Sequence, residues 1–260
     1  MSSELHAHFH PDERPFVDKA LEWIQRSARQ HDVKRTDFLD PRQAWILESL
    51  VNREADVQLL LFGGYKQAER RRALIAPDYL MPEPEECGVA LIEATSPDGK
   101  FAELDHGDFL GALTALGVKR DKLGDIHLHE DACHILVAEE LADYFSLNLR
   151  QVHRVHVFTQ RLPLERLRPA ETQFQEMKLS VASMRLDGIL SDVCRMSRAK
   201  VLPPIKAGRC KVNWKVEEDP GKPLRQGDVV SLQGFGRFKI LELEGESKSG
   251  RIRLRVGKYS

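Results

Sequence analysis

The sequence predicts an α+β protein built from three units: an α-rich N-terminal domain, a βαββαβ middle domain and a small basic C-terminal domain. Three observations lead there. Apolar residues recur at helical spacing over the first fifty positions, strand and helix patterns follow one another in a fixed order between residues 89 and 159, and positive charge gathers beyond residue 179. With 260 residues, 42% hydrophobic and 30% charged, the chain has apolar material for two or three cores. It lacks the bias of disordered, collagen-like or coiled-coil chains.

From the N-terminus, Phe16, Ala20, Trp23, Ile24 and Ala28 share one helix face between Pro15 and Arg29. A second helix opens at Asp40-Pro41 and carries Trp45, Ile46 and Leu50; Asp40 is its N-cap, and proline stands where no donor is needed. Val57 to Phe62 reads as a buried strand, Gly63-Gly64 as a turn and Tyr65 to Arg72 as a short basic helix. Arg70, Arg71 and Arg72 could touch phosphate, although a solvated helix face is the commoner meaning of three adjacent charges. Pro77 to Gly88, rich in proline and glutamate, is an extended connection that closes a first domain of residues 1–80.

The middle domain, residues 84–162, begins with a strand at Val89 to Thr95 and a helix at Asp108 to Leu116. Strands at Asp125 to His129 and His134 to Val137, a helix at Glu139 to Leu149 and a last strand at Arg154 to Thr159 complete it. That order is the pattern of a ferredoxin-like or RRM-like sandwich, with two helices on one face of an antiparallel sheet. The third strand, Cys133 to Ala138, lacks the aromatic series on which an RRM stacks bases. Lys119, Arg120 and Lys122, between Gly117 and Gly124, are the more credible RNA contacts in this domain, or else an ordinary exposed turn. Arg161 to Gln175, with Pro163 and Pro169, reads as a second linker.

In the last domain, residues 178–260, Leu186, Ile189, Leu190 and Val193 fall on one helix face, with Arg185, Ser191, Asp192 and Arg195 opposite. Ser197 caps a following helix that carries Arg198, Lys200, an inward Ile205 and Lys206, and Gly208 ends it in a left-handed turn. From Arg209 to Lys215 polar and apolar residues alternate, so a strand places Arg209, Lys211, Asn213 and Lys215 on one face. Trp214 falls with Val212 and Val216, which favours a core role over base stacking.

Charge separates this domain from the rest. Residues 180–260 hold 17 basic and 9 acidic side chains, an excess of eight, while residues 1–179 hold 22 basic and 31 acidic, within a chain of net charge −1. A basic module of this kind meets a polyanion.

The residues Arg185-Leu186-Asp187, Ser197-Arg198, Ile205, Gly208, Lys211-Val212-Asn213, Gly227-Asp228 and Gly234-Phe235-Gly236-Arg237-Phe238 resemble an S4 RNA-binding domain. Phe62-Gly63-Gly64-Tyr65 with Ala68-Glu69-Arg70, and His106 to Leu113 with Leu116 to Arg120 and Gly124-Asp125-Ile126, resemble the bacterial YlmH family; together the likeness covers nearly the whole chain. The resemblance implies a cytoplasmic, non-enzymatic RNA-binding protein without a cofactor. It implies association with the large ribosomal subunit and its peptidyl-tRNA, and rescue of stalled large subunits in ribosome quality control. The contacts to structured RNA, both rRNA and tRNA, fall on Arg185, Arg195, Arg198, Lys200, Lys206, Arg209, Lys211, Asn213, Lys215 and Arg237, with Arg185 equally able to brace Asp187. Two departures stand out: Pro203-Pro204 should shorten or kink the second S4 helix, and Trp214 replaces a glycine common after Asn213.

Other chemistries are weaker. Arg185-Leu186-Asp187 also matches the nucleophile motif of pseudouridine synthases, but no synthase domain follows. Gly63-Gly64 alone does not make a methyltransferase cofactor site. His127, His129 and His134 with Glu130 and Asp131 could bind zinc, yet nothing fixes a third and fourth ligand, and solvent-facing strand positions are the plainer reading. His6, His8 and His10 read as a disordered cluster. His153 and His156 have no nucleophile signature beside them. Cys87, Cys133, Cys194 and Cys210 contain no CxxC pair and suit a reduced compartment as buried apolar residues. The longest apolar run, Val57 to Phe62, is too short to span a membrane, and Met1 to Pro15 carries no secretion signal. The expectations are therefore cytoplasmic location, no membrane, no metal and no catalytic residue; no repeat or heptad supports a symmetric oligomer.

Overall fold

The computed structural model describes residues 6–97, 101, 104–247 and 250–259, so residues 1–5 of the first expected domain, 98–100, 102 and 103 of the middle one and 248, 249 and 260 of the last lie outside the described residues. The chain divides into two compact units, residues 1–171 and 172–260.

In the first unit, α1 (Arg14–Gln30), β1 (Lys34–Leu39), α2 (Pro41–Val51), β2 (Val57–Phe62) and β3 (Arg71–Pro77) form two helices and an antiparallel sheet of order β1-β3-β2. The Asp40 cap is present: its carboxylate accepts the Gln43 N–H at 2.8 Å, and the Gln43 side chain accepts the Asp40 N–H at 3.0 Å. The two helices share this region with a three-stranded sheet, of which only the strand at Val57 to Phe62 was expected. The expected helix at Tyr65 to Arg72 is a loop leading into β3. A tertiary contact overrides local propensity there, because the Asp125 carboxylate accepts the Glu69 N–H at 2.7 Å, the Arg70 N–H at 3.0 Å and the Tyr65 hydroxyl at 2.9 Å.

The rest of this unit is β4 (Val89–Thr95), α3 (His106–Ala115), β5 (Leu123–Leu128), β6 (Ala132–Ala138), α4 (Ala142–Asn148), the short hairpin β7 (Gln151–Val152) and β8 (Val155–His156), and β9 (Phe158–Leu162). The four long strands form an antiparallel sheet of order β5-β6-β4-β9. The expected strand at Arg154 to Thr159 is thus divided: its start closes the hairpin and its end opens β9. One face of this sheet packs on α3 and α4 through Ile92, Phe109, Leu113, Ile135 and Phe145. Its other face, through Leu91, Leu136 and Leu162, packs on Phe38, Leu60, Phe62 and Leu74 of the N-terminal sheet. The order of layers is helices, sheet, sheet, helices. Close approach of the two sheets needs glycine: a Cβ on Gly124 would lie 2.8 Å from the Phe38 ring, and one on Gly64, which also has φ +96°, 2.7 Å from Leu136.

The second unit contains β10 (Phe174–Val181), α5 (Leu186–Val193), α6 (Arg198–Lys206), β11 (Cys210–Val212), β12 (Lys215–Val216), β13 (Val229–Leu232), β14 (Gly236–Glu246) and β15 (Ile252–Tyr259). Its strands form an antiparallel sheet of order β10-β15-β14-β13-β11-β12. Leu186, Ile189, Leu190, Val201 and Ile205 are fully buried against Val230, Phe238, Ile240, Leu254 and Val256. Burying each such side chain contributes roughly 1.5–3 kcal/mol, which holds α5 and α6 on one face of the sheet. The helix α6 continues through Pro203 and Pro204 and ends at Gly208, φ +68°, as expected of a left-handed terminus. The prolines remove the donors that would serve the carbonyls of Ala199 and Lys200, and both of those residues are exposed, where water can replace the lost bonds.

Candidate nucleic-acid interface

Residue by residue, the second unit sorts its expected RNA contacts into two kinds. Arg185 is a brace: its guanidinium donates to both oxygens of Asp187 at 3.1 Å, and the Gly188 N–H donates to the same carboxylate at 2.8 Å. Asp187 is only 6% exposed. The bonded Arg185 holds its pKa below the ordinary carboxylate value against the opposing effect of burial, helped by Arg198. Both Asp187 oxygens are thus committed to the start of α5, where the backbone of Leu186 and Asp187 also donates to the Lys222 and Pro220 carbonyls.

Arg195, Arg198, Lys200, Lys206, Arg209, Lys211 and Lys215 are the other kind. All seven are exposed, and none is in an ion pair among the described residues. Their backbone lies in helix α6, in the β11–β12 hairpin or in the tight turns beside them. Arg195 occupies the left-handed turn between α5 and α6, φ +52°, and Ser197 stands at the N-cap of α6, although its hydroxyl makes no capping bond. The Arg198 guanidinium lies against Gly188, where a Cβ would come within 2.9 Å of it, so glycine in α5 makes room for the cation.

The continuous strand expected from Arg209 to Lys215 is a hairpin. Asn213 and Trp214, φ +50° and +63°, turn the chain between β11 and β12, the paired positive φ values of a two-residue type I′ turn. Asn213 is the residue that makes the turn possible: it accepts the Val229 N–H at 2.9 Å and donates to Asp228 at 2.8 Å, so its amide is structural. Val212 pairs with Lys215 and Lys211 with Val216, which puts Lys211 and Lys215 on opposite faces instead of one. Trp214 leaves the core and sits half-exposed at the turn, with the Arg237 guanidinium 5.8 Å from its ring centre.

In the first unit the expected contacts are turned inward. Lys122 donates to Asp37 at 2.5 Å and Glu140 at 3.3 Å. Arg120 donates to the Leu123 carbonyl at 2.6 Å. Only Lys119 of that loop is fully exposed. Arg70 reaches the carbonyls of Leu123 and Phe38, and Arg72, 2% exposed, donates to Thr36, Gly88 and both oxygens of Glu140. Burial opposes ionisation of Glu140, yet Arg72 and Lys122 outweigh it and hold its pKa down at about 2. Arg70 and Arg72 are thus not a solvated helix face; they join the two sheets.

Two of the three expected histidines are likewise not solvent-facing, while His129 stays part-exposed beside the Arg168 carbonyl. His127 and His134 face each other across β5 and β6 and are 4% and 1% exposed. The expected second linker covers them: the Ala170 N–H donates to His127 Nδ1 at 3.2 Å and the Arg168 N–H to His134 Nδ1 at 3.1 Å, while His134 Nε2 meets Glu93 at 3.1 Å. Burial lowers the pKa of both rings. No group of three or more metal-binding side chains occurs among the described residues. His6 contacts Asp18 at 2.7 Å and His10 caps the turn before α1, so these two are ordered on the fold. Cys87 and Cys210 are buried thiols, their pKa values pushed up by desolvation to about 11 and about 12. All four cysteines are free. No described helix is long and apolar enough to cross a membrane.

One cationic element escaped the sequence reading. The β7–β8 hairpin exposes Arg150, His153, Arg154 and His156, a positively charged tip whose signal was the sequence Arg150-Gln151-Val152-His153-Arg154 itself.

Two protein-family models match the chain. One, described as "Putative RNA-binding domain in YlmH", covers residues 82–166, and the other, "YlmH, N-terminal", covers residues 12–80. Among curated proteins, the chain is 39% identical over 252 residues to the ribosome-associated protein quality control protein P2 of Bacillus subtilis (strain 168), with 97% of each chain covered. Among solved structures, the cell division protein ylmH from Streptococcus pneumoniae is similar with a TM-score of 0.54 and 29% identity, over 62% of this chain and 98% of that one.

Proposed function

This chain belongs to the YlmH family, and on that premise we propose that it is a non-enzymatic, cytoplasmic RNA-binding protein of ribosome quality control. In this reading residues 178–260 are an S4 domain that docks on the large ribosomal subunit and its tRNA. Residues 84–162 are a second RNA-facing domain, and residues 1–80 support it. The name of the Bacillus subtilis relative supports the ribosomal setting, and the family model over residues 82–166 supports RNA as the ligand.

One observation carries the reading: seven exposed cations of the second unit stand on packed helices and a tight hairpin without carboxylate partners among the described residues. Such groups meet a phosphate backbone with little ordering cost. If about six of them displace counterions, affinity for rRNA falls roughly 10³-fold between 50 and 200 mM salt. The triple variant Lys200→Glu, Lys206→Glu, Arg209→Glu should lose association with purified large subunits while its thermal melting stays within a few degrees of the native chain. Native-like binding by that folded variant would remove the proposed surface.

A further inference from the structure

We propose that the face of the C-terminal sheet turned away from α5 and α6 is a stacking platform for unpaired RNA bases, built from Trp214, Arg237, Tyr259 and Phe174. The proposal rests on the RNA-binding reading above and deepens it, since it adds a single-stranded ligand on the sheet face opposite the helices that carry several of the phosphate contacts.

Strand register assembles the platform. Lys211 pairs with Ser231, Ser231 with Arg237, and Tyr259 with Phe174, and the Arg237 guanidinium lies 4.0 Å from the centre of the Tyr259 ring. Side chains directly opposite each other in a sheet share a face, so these five form a row across β11, β13, β14, β15 and β10. Trp214 reaches the same guanidinium from the β11–β12 turn, and the Phe174 and Tyr259 rings meet edge to face at 5.0 Å. Phe174 can lie over β15 because residue 257 is glycine, where a Cβ would sit 2.6 Å from the ring. All three aromatic residues are half-exposed instead of buried.

Charge selects the occupant. Farther along this face Arg255 pairs with Glu176 and Glu242, and Lys178 with Glu244, so that half is self-neutralised. Around the rings, Lys211 and Lys239 have no carboxylate partner among the described residues. Aromatic rings held at fixed positions among unpaired cations suit a strand of RNA whose bases are splayed out: rings take the bases and lysines the flanking phosphates. A double helix, whose bases are stacked internally, has nothing to offer the rings.

The test uses the full-length protein with three probes of equal length: single-stranded oligo(A), an abasic ribose-phosphate strand, and a hairpin RNA whose loop nucleotides are abasic, so that it offers no unpaired base. Trp214→Ala and Tyr259→Ala should each weaken oligo(A) binding about tenfold and leave hairpin binding and circular dichroism unchanged. Oligo(A), but not the abasic strand, should quench indole fluorescence in the native chain, and the quench should vanish in Trp214→Ala. If either variant fails to fold, Arg237→Lys and Phe174→Leu replace it with the same expectation. Native-like oligo(A) binding by the variants, or equal binding of the abasic strand, overturns the platform. Hairpin binding without oligo(A) binding also overturns it and leaves the RNA-binding reading standing, whereas binding of neither RNA defeats both.

Discussion

The two units treat positive charge in opposite ways. In the first, Arg70, Arg72 and Lys122 tie one sheet to the other and Arg120 folds back onto the carbonyls of Leu123 and Gly124; in the second, seven of the expected cations point outward, none in an ion pair among the described residues. The sheets differ in the same sense. The middle sheet has both faces covered, by helices on one side and by the N-terminal sheet on the other, whereas the C-terminal sheet packs helices on one face and leaves aromatic and basic side chains on the other. The sign of a charged run therefore says little about its use. What decides is whether a carboxylate or carbonyl lies within reach once the chain has folded.

The largest expected effect that can break this contrast comes from Arg72→Met. The substitution strands the Thr36 and Gly88 carbonyls and leaves Glu140 without its main partner, so urea unfolding of the first unit should occur with about 3–5 kcal/mol less stability. Affinity of the folded protein for RNA should not change. Weakened RNA binding at unchanged stability would put Arg72 in the wrong class.

A smaller effect, separable by pH, sharpens the comparison. All ten histidines lie before residue 157, so the second unit has none. His127 and His134 have lowered pKa values in the fold, and a proton on either Nδ1 would oppose the N–H of Ala170 or Arg168. A base with a lowered folded pKa contributes stability above its unfolded value near 6.5 that is lost as pH falls below it. Stability of the first unit should thus drop between about pH 7 and 5. A second loss should follow from about pH 4 toward 2 as Glu140 is protonated. Hydrogen exchange at pH 7.5 and 5.5 should show loosening around residues 127–134 and 168–170, with the second unit unaffected between these two values.

Local signals carried much of this architecture. The caps at Asp40 and Gly208, the apolar faces of α1 and α5, that of α2 apart from the exposed Trp45, and the order of elements from β4 to β9 follow from short-range chemistry and were legible. β1 was not, because it is an edge strand of sequence Lys34-Arg35-Thr36-Asp37-Phe38-Leu39 with little apolar content. The segment Tyr65 to Arg70 follows a distant carboxylate, Asp125, that no local window contains. The hairpin at Asn213-Trp214 deceived the alternation rule, since a two-residue turn preserves the alternating pattern while reversing the chain. The row through Phe174, Arg237 and Tyr259 joins residues more than sixty positions apart in places, and only strand register brings them together.

The central claim, that RNA is met by the outward cations of the second unit, is tested most directly by the salt dependence of RNA affinity in two neutralised variants. Lys200→Gln, Lys206→Gln, Arg209→Gln should flatten the slope of log affinity against log salt by about 2 to 3, as each lost phosphate contact reduces it by roughly 0.7–0.9. Lys119→Gln, Arg150→Gln, Arg154→Gln, exposed cations of the first unit, should change it by less than one. The reverse outcome, with the slope flattened only by the first-unit variant, would contradict the claim and move the phosphate contacts to the region matched by the family's RNA-binding model.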